Sequence, residues 1–89
     1  MVVEFDKSFY KSLDKIKDKS LFPKIEKVIS ILEKSNSLSE IASVKKLSGF
    51  KAYYRYRLSD YRIGIEQISK STIRLIVIAH RKDVYSMFP

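Results

Sequence analysis

The chain has 89 residues, a formal net charge of +8, one histidine and no cysteine. That length indicates a single domain spanning residues 1–89, with one core and a functional site confined to the surface or a shallow groove. The missing thiols exclude a disulfide framework and a thiolate nucleophile, and one histidine among scattered acids argues against zinc or a paired-carboxylate metal site. Two glycines are too few for a phosphate-cradling glycine loop.

Taken in order, Met1 to Phe5 reads as a short apolar strand. Asp6 is a suitable helix N-cap, because its carboxylate can accept the free amides of a first turn. Phe9, Leu13 and Ile16 then form one helical stripe. Ser20 is placed to cap a second helix, with Pro23 tolerated in its first turn and Ile25, Val28, Ile29 and Leu32 as its buried face. The helical signal fades in "SNSLSE". From Tyr53 the period changes to two: "YYRYRL" and "YRIGIEQI" flank Ser59-Asp60, which reads as a two-residue hairpin loop. "TIRLIVIAHR" is a third strand, and its run from Leu75 to Ala79 suits burial on both faces. The ending "KDVYSMFP" is too short for an independent helix and is expected to dock on the body or lie beside the sheet. The fold class is α+β: a strand, two antiparallel helices, and an antiparallel sheet whose last three strands form a meander. The N-terminus turns charged after three residues, without a signal core or a membrane-spanning run, which suggests a soluble, cytoplasmic protein.

Charge is segregated along the chain. Residues 45–89 hold all five arginines, with ten Lys or Arg against three acids, whereas residues 1–44 balance eight Lys against seven acids. Pairing Leu58 with Tyr61 sets Arg57 opposite Arg62, Arg55 opposite Gly64 and Tyr53 opposite Glu66, so the arginines share one face. Tyr54, Tyr56, Leu58, Tyr61, Ile63 and Ile65 take the other, apolar face. Directly opposed like charges weaken a sheet, and a local conflict with folding tends to mark function. Gly64 would let a ligand backbone come close. Guanidinium forks bind phosphate bidentately and stay protonated, and exposed tyrosines stack on unpaired bases; the combination points to single-stranded nucleic acid, against the plainer reading of arginines paired with acids of a loop or partner. The end of the third strand is open. If Ile68 pairs with Thr72, His80 joins the arginine face; one more residue in the connection brings in Arg81 instead, and a bulge could admit both.

The order "KKLSG … YYRYRLSDYRIGIE … IRLIVIAHRKDVY" resembles the RelE/ParE superfamily of toxins from toxin–antitoxin pairs, and its RelE branch in particular. The resemblance covers nearly the whole chain and implies a compact, microbial-ribonuclease-type fold. It implies a ribosome-dependent mRNA endonuclease that needs no metal or other cofactor, with a small antitoxin, the ribosome and mRNA as partners. On that likeness Arg62 holds the scissile phosphate, Arg81 is a second catalytic arginine, Tyr85 orients or stacks on the substrate, and His80 falls near a general acid of some relatives. Arg55 and Arg57 fall where relatives carry basic residues, often lysines, and with Lys46 they make up a phosphate- and RNA-binding set. Guanidinium hardly deprotonates, which leaves the general base open between Glu66 and activation by the ribosome. Two rival readings remain: a ParE-type inhibitor of DNA gyrase, and a non-catalytic RNA-binding module.

Overall fold

A computed structural model describes all residues, 1–89. Strand β1 (Val2–Phe5) leads into helices α1 (Lys7–Asp14) and α2 (Leu21–Lys34) and a 3-10 turn at Leu38–Glu40. Strands β2 (Val44–Lys46), β3 (Tyr53–Leu58), β4 (Tyr61–Gln67) and β5 (Thr72–His80) follow, and a short helix α3 (Val84–Met87) ends the chain. The five strands form one sheet in the order β1-β5-β4-β3-β2. No helix is long and apolar enough to cross a membrane.

The local signals act largely as read. The Asp6 carboxylate accepts from the Ser8 amide at 3.1 Å and starts α1. The Ser8 hydroxyl, followed by that amide, holds the Asp6 carboxyl below its ordinary 3.8. Ser20 does not act as the expected cap, since its side chain makes no cap bond. Asp18 accepts from both the Ser20 amide and its hydroxyl, and those bonds lower the Asp18 carboxyl in turn. Leu21, Ile25, Val28 and Leu32 of α2 are buried at helical spacing.

Two strand assignments differ from expectation. The sheet is not wholly antiparallel, because β1 runs parallel to β5. The two helices carry the chain from β1 at one edge to β2 at the other, so no hairpin constrains the direction of β1. Strand β2 was not expected; its three residues pair only with β3 and are too few to show a period of two.

The sheet is covered on both sides. On one side Phe9, Leu21, Ile25, Val28, Leu32 and Leu38 pack against Tyr56, Ile63, Ile65, Ile73, Leu75 and Ile78. Burial of Tyr56 pushes its hydroxyl above 10.0. On the other side Val77 and Ala79 of β5 meet Val84 and Phe88, with Leu47, Tyr53 and Ile76 around them. The docked C-terminal segment thus buries the second face of β5.

A bulge lets β5 serve both sides. Gly64 pairs with Val77 and Ile65 with Leu75, so Ile76 is an extra residue. Near the bulge β1 has already ended, and α1 supplies partners for the exposed edge of β5. The Ser8 hydroxyl lies between the Asp6 carboxylate and the Ile76 carbonyl and shares its single proton between them, and the buried Ser12 hydroxyl accepts from the Ile78 amide at 3.0 Å. These two serines, one helical turn apart, satisfy backbone groups that would otherwise lack partners.

Candidate functional site

The register of β3 and β4 assembles the site. Arg57 lies opposite Arg62 and Arg55 opposite Gly64, as parity requires. Strand β2 adds Lys45 opposite Arg55 on the same face. Together they form the floor and one wall of an open cleft of about 700 Å³, which Lys46, Phe50, Tyr85, Phe88 and Pro89 also line. No Asp, Glu or His side chain lines it. The single ion pair of the molecule, Arg74 to Glu4 at 3.0 Å, joins β5 to β1 at the far edge. Arg55, Arg57 and Arg62 therefore face the cleft without a counter-ion.

Each arginine is held differently. Arg62 donates through Nη1 to the carbonyls of Ser59 at 2.9 Å and Tyr61 at 2.8 Å. That grip braces the tight turn, where Ser59 takes a left-handed φ of 53°. A guanidinium has five N–H donors, so Arg62 keeps others for a ligand. Arg55 lies under the Tyr85 ring, with its guanidinium carbon 4.3 Å from the ring centroid, a cation–π distance. Its Nε is buried without an acceptor, a costly state for a polar group. Arg57 is exposed. Tyr85 itself, on α3, is 73% exposed, so one face of its ring is open.

Gly64 has a different role from the one expected. A Cβ at this position would lie 2.6 Å from the Phe88 ring, and Phe88 is itself buried. The space over Gly64 belongs to the chain's own C-terminal segment, not to a ligand backbone. Tyr53 meets Phe88 edge-on at 5.2 Å, which completes an apolar wall beside the arginines.

The bulge decides the end of β5. Beyond it Arg62 pairs with Ala79 and Tyr61 with His80. His80 therefore lies on the helix side of the sheet, away from the arginines. Its ring meets Tyr61 edge-on at 5.7 Å, and its Nδ1 accepts from the Lys82 amide at 3.2 Å. It lines a separate hollow of about 160 Å³ with Ser12, Lys15 and Asp83. The alternative that brought His80 onto the arginine face is thus not the one adopted. Arg81 follows the last paired residue of β5, and its amide donates to the Asp60 carbonyl at 2.7 Å. Its exposed side chain is not among those lining the cleft. Glu66, opposite Tyr53 and Arg74, also lies outside the cleft lining.

Comparison with known proteins agrees with this architecture. No family model matches the chain. The toxin RelE3 of Methanocaldococcus jannaschii is 38% identical over 90 residues, covering the whole of both chains. The chain belongs to the RelE toxin family. The toxin fold of the RelB–RelE antitoxin–toxin complex from Methanococcus jannaschii matches it with a TM-score of 0.80 and 36% identity, covering 97% of this chain and 99% of that one. The RelE–RelB complex of Pyrococcus horikoshii OT3 matches with a TM-score of 0.70 and 26% identity, over 90% and 93% of the two chains.

Within this RelE-family chain, Lys45 and Phe50 are two of the cleft residues that sequence reasoning passed over. Lys45 went unnoticed because β2 itself did; once β2 pairs with β3, Lys45 rather than Lys46 stands opposite Arg55. Phe50 follows Gly49, whose φ of 84° marks a turn. The available signal was a large apolar residue set between Lys46 and Lys51 in a stretch without acids, residues 41–59.

Proposed function

We propose that the protein is the toxin of a type II toxin–antitoxin pair and cuts mRNA on the ribosome as a metal-independent endoribonuclease. The observation that carries this reading is a cleft without Asp or Glu side chains, with three arginines on one face that form no ion pair and Tyr85 above Arg55. In the reaction the 2′-oxygen of one nucleotide bonds to the adjacent phosphorus while the bond from phosphorus to the 5′-oxygen breaks. A cyclic 2′,3′-phosphate and a 5′-hydroxyl result. Negative charge grows on the phosphoryl oxygens as the pentacoordinate state forms. Guanidinium donors aimed there, in a cleft with no competing Asp or Glu side chain, stabilise that state more than the ground state. Arg57 and Arg62, directly opposed, hold the phosphate that is attacked; Arg55 supports the next one.

The 2′-hydroxyl must lose a proton and the 5′-oxygen must gain one. Arginine does neither, and no Asp, Glu or His side chain lines the cleft, where Lys45, Lys46 and Tyr85 are the groups able to exchange a proton. Completion of the proton transfers by groups of the ribosome fits ribosome dependence. The antitoxin partner follows the RelB of the related complexes, and an acidic segment suits the open basic cleft.

End-labelled mRNA in a purified translation system tests the reading. The wild-type chain is expected to give discrete cuts on translating ribosomes. Arg57→Ala is expected to lose them while its melting temperature stays close to that of wild type. Intact mRNA with the wild-type chain, alongside inhibited DNA supercoiling by gyrase, would move the protein to the ParE-type reading.

A further inference from the structure

Phe50 has features that packing against Tyr53 does not require. The turn Leu47-Ser48-Gly49-Phe50 closes by a bond from the Phe50 amide to the Leu47 carbonyl at 3.3 Å. Positive φ at the third position is the mark of a type II turn, so the Phe50 backbone is fixed rather than loose. Its ring packs against Tyr53 at 5.6 Å and 57°, and Tyr53 packs on buried Phe88. Phe50 is thus braced from one side. Even so it remains 45% exposed and lines the cleft. A residue serving only as packing would be expected to turn inward; this one offers an open ring face among lysines.

Its position along the cleft gives the exposure a meaning. Arg57 and Arg62 stand at the Ser59-Asp60 end of β3. Arg55 with Tyr85 lies in the middle, and Tyr53 with Phe50 closes the other end. From Arg57 to Tyr53 is four strand steps, about 14 Å at roughly 3.4 Å each. An extended single strand covers that length in more than one nucleotide. Cationic groups that track a backbone, interleaved with aromatic rings, are the composition of a single-strand binding track.

We infer that Phe50 stacks on a nucleobase of the RNA beyond the phosphate held by Arg57 and Arg62, extending the substrate footprint along β3. The inference rests on the RNA-cutting reading for its ligand class. Removing an aromatic platform weakens single-strand binding by about 5- to 150-fold per base. Stacking tolerates any base, so Phe50 adds grip and register more than base identity.

The test is a binding cycle with the full-length protein and a short single-stranded oligoribonucleotide. A 2′-O-methyl group on every sugar blocks cleavage, and one 2-aminopurine is moved along the strand as a stacking-sensitive probe. With wild type, fluorescence at one position should fall on binding. Phe50→Leu, which keeps an apolar side chain against Tyr53, should lose that quenching and bind about tenfold more weakly. Phe50→Tyr should retain both properties, which also guards against misfolding of the leucine variant. An abasic nucleotide at the responding position should abolish the difference between wild type and Phe50→Leu. The inference is overturned if Phe50→Leu binds and quenches like wild type, or if its defect persists with the abasic strand. It is also overturned if Phe50 matters for an acidic peptide while showing no coupling to the oligonucleotide. Uncut mRNA on ribosomes with an intact stacking cycle would remove the nuclease reading alone; normal cutting without coupling would remove this inference alone.

Discussion

Gly64→Ala isolates the contact that seats the C-terminal segment on the arginine face. The new Cβ would lie 2.6 Å from Cγ of Phe88 and 2.8 Å from both Cδ atoms. Ordinary carbon contacts begin near 3.5 Å, so the ring must retreat by about 1 Å. Overpacking of that kind costs about 1–3 kcal/mol. Alanine returns about 0.5–1 kcal/mol, because glycine loses more backbone freedom in a strand. The net is a loss of about 1–2 kcal/mol, or a fall in Tm of about 5–15 °C for a domain of this size. Urea denaturation measures it directly. The sharper measurement repeats the substitution in a Phe88→Ala background, where nothing stands above Gly64. There Gly64→Ala should be neutral or stabilising. An equal loss in both backgrounds would refute the seating of Phe88 on Gly64, and with it the placement of Tyr85 over Arg55 by a docked α3.

Ser12→Ala leaves the buried Ile78 amide without its acceptor, so urea denaturation should show a loss of about 1–3 kcal/mol, with faster hydrogen exchange at Ile78. Arg57→Gln relieves a directly opposed like-charge pair; it should stabilise the fold by a few tenths of a kcal/mol at low salt and by nothing near 1 M salt. The same variant should cut mRNA about 100- to 1,000-fold more slowly if Arg57 stabilises the transition state. His80→Gln should leave ribosome-dependent cutting within about twofold, since the imidazole lies across the sheet from the cleft and a catalytic acid would cost about 100-fold or more. Asp6 has a folded-state pKa below 3.8, so its contribution to stability is complete above 3.8 and disappears as pH falls through the lower folded value. Asp6→Ala should therefore flatten the acid limb of a stability–pH curve and lower the plateau at neutral pH.

The arginine face was legible because side-chain direction in a hairpin depends only on parity once the turn is placed. A two-residue loop at Ser59-Asp60 was enough to pair Arg57 with Arg62 and Arg55 with Gly64, and the structure adopts that pairing. Asp6 was legible for the same local reason, since a cap depends on its immediate neighbours. The roles of Gly64 and Ser20 were not. Phe88 reaches Gly64 from 24 positions along the chain, and no periodicity reports a partner that distant. Asp18 supplied the bonds expected of Ser20 from two residues upstream, a competition between two good turn residues that composition alone does not rank. Strand β2 fell below the length at which alternation can be recognised, and Lys45 was lost with it.

His80 and Arg81 show how one residue can settle a question that parity leaves open. Each of the two registers considered for β4 and β5 is present, one on either side of Ile76. Up to Leu75 the strand keeps the pairing that sets Glu66 opposite Arg74; beyond Val77 it keeps the pairing that sets Arg62 opposite Ala79. Without the bulge, Ile78 would turn towards the cationic cleft and Ala79 towards the helices. With it, Ile73, Leu75 and Ile78 all stay in the main core, while Val77 and Ala79 give α3 an apolar seat beside the arginines. The bulge bends the strand and frees a carbonyl and an amide, and Ser8 and Ser12 of α1 meet them. The same device that keeps the large side chains buried therefore removes the only imidazole from the cleft. It also supports the segment that holds Tyr85 above Arg55. An unpaired cationic face is unfavourable for folding, and here its cost is confined to one side of a sheet whose other side carries most of the core.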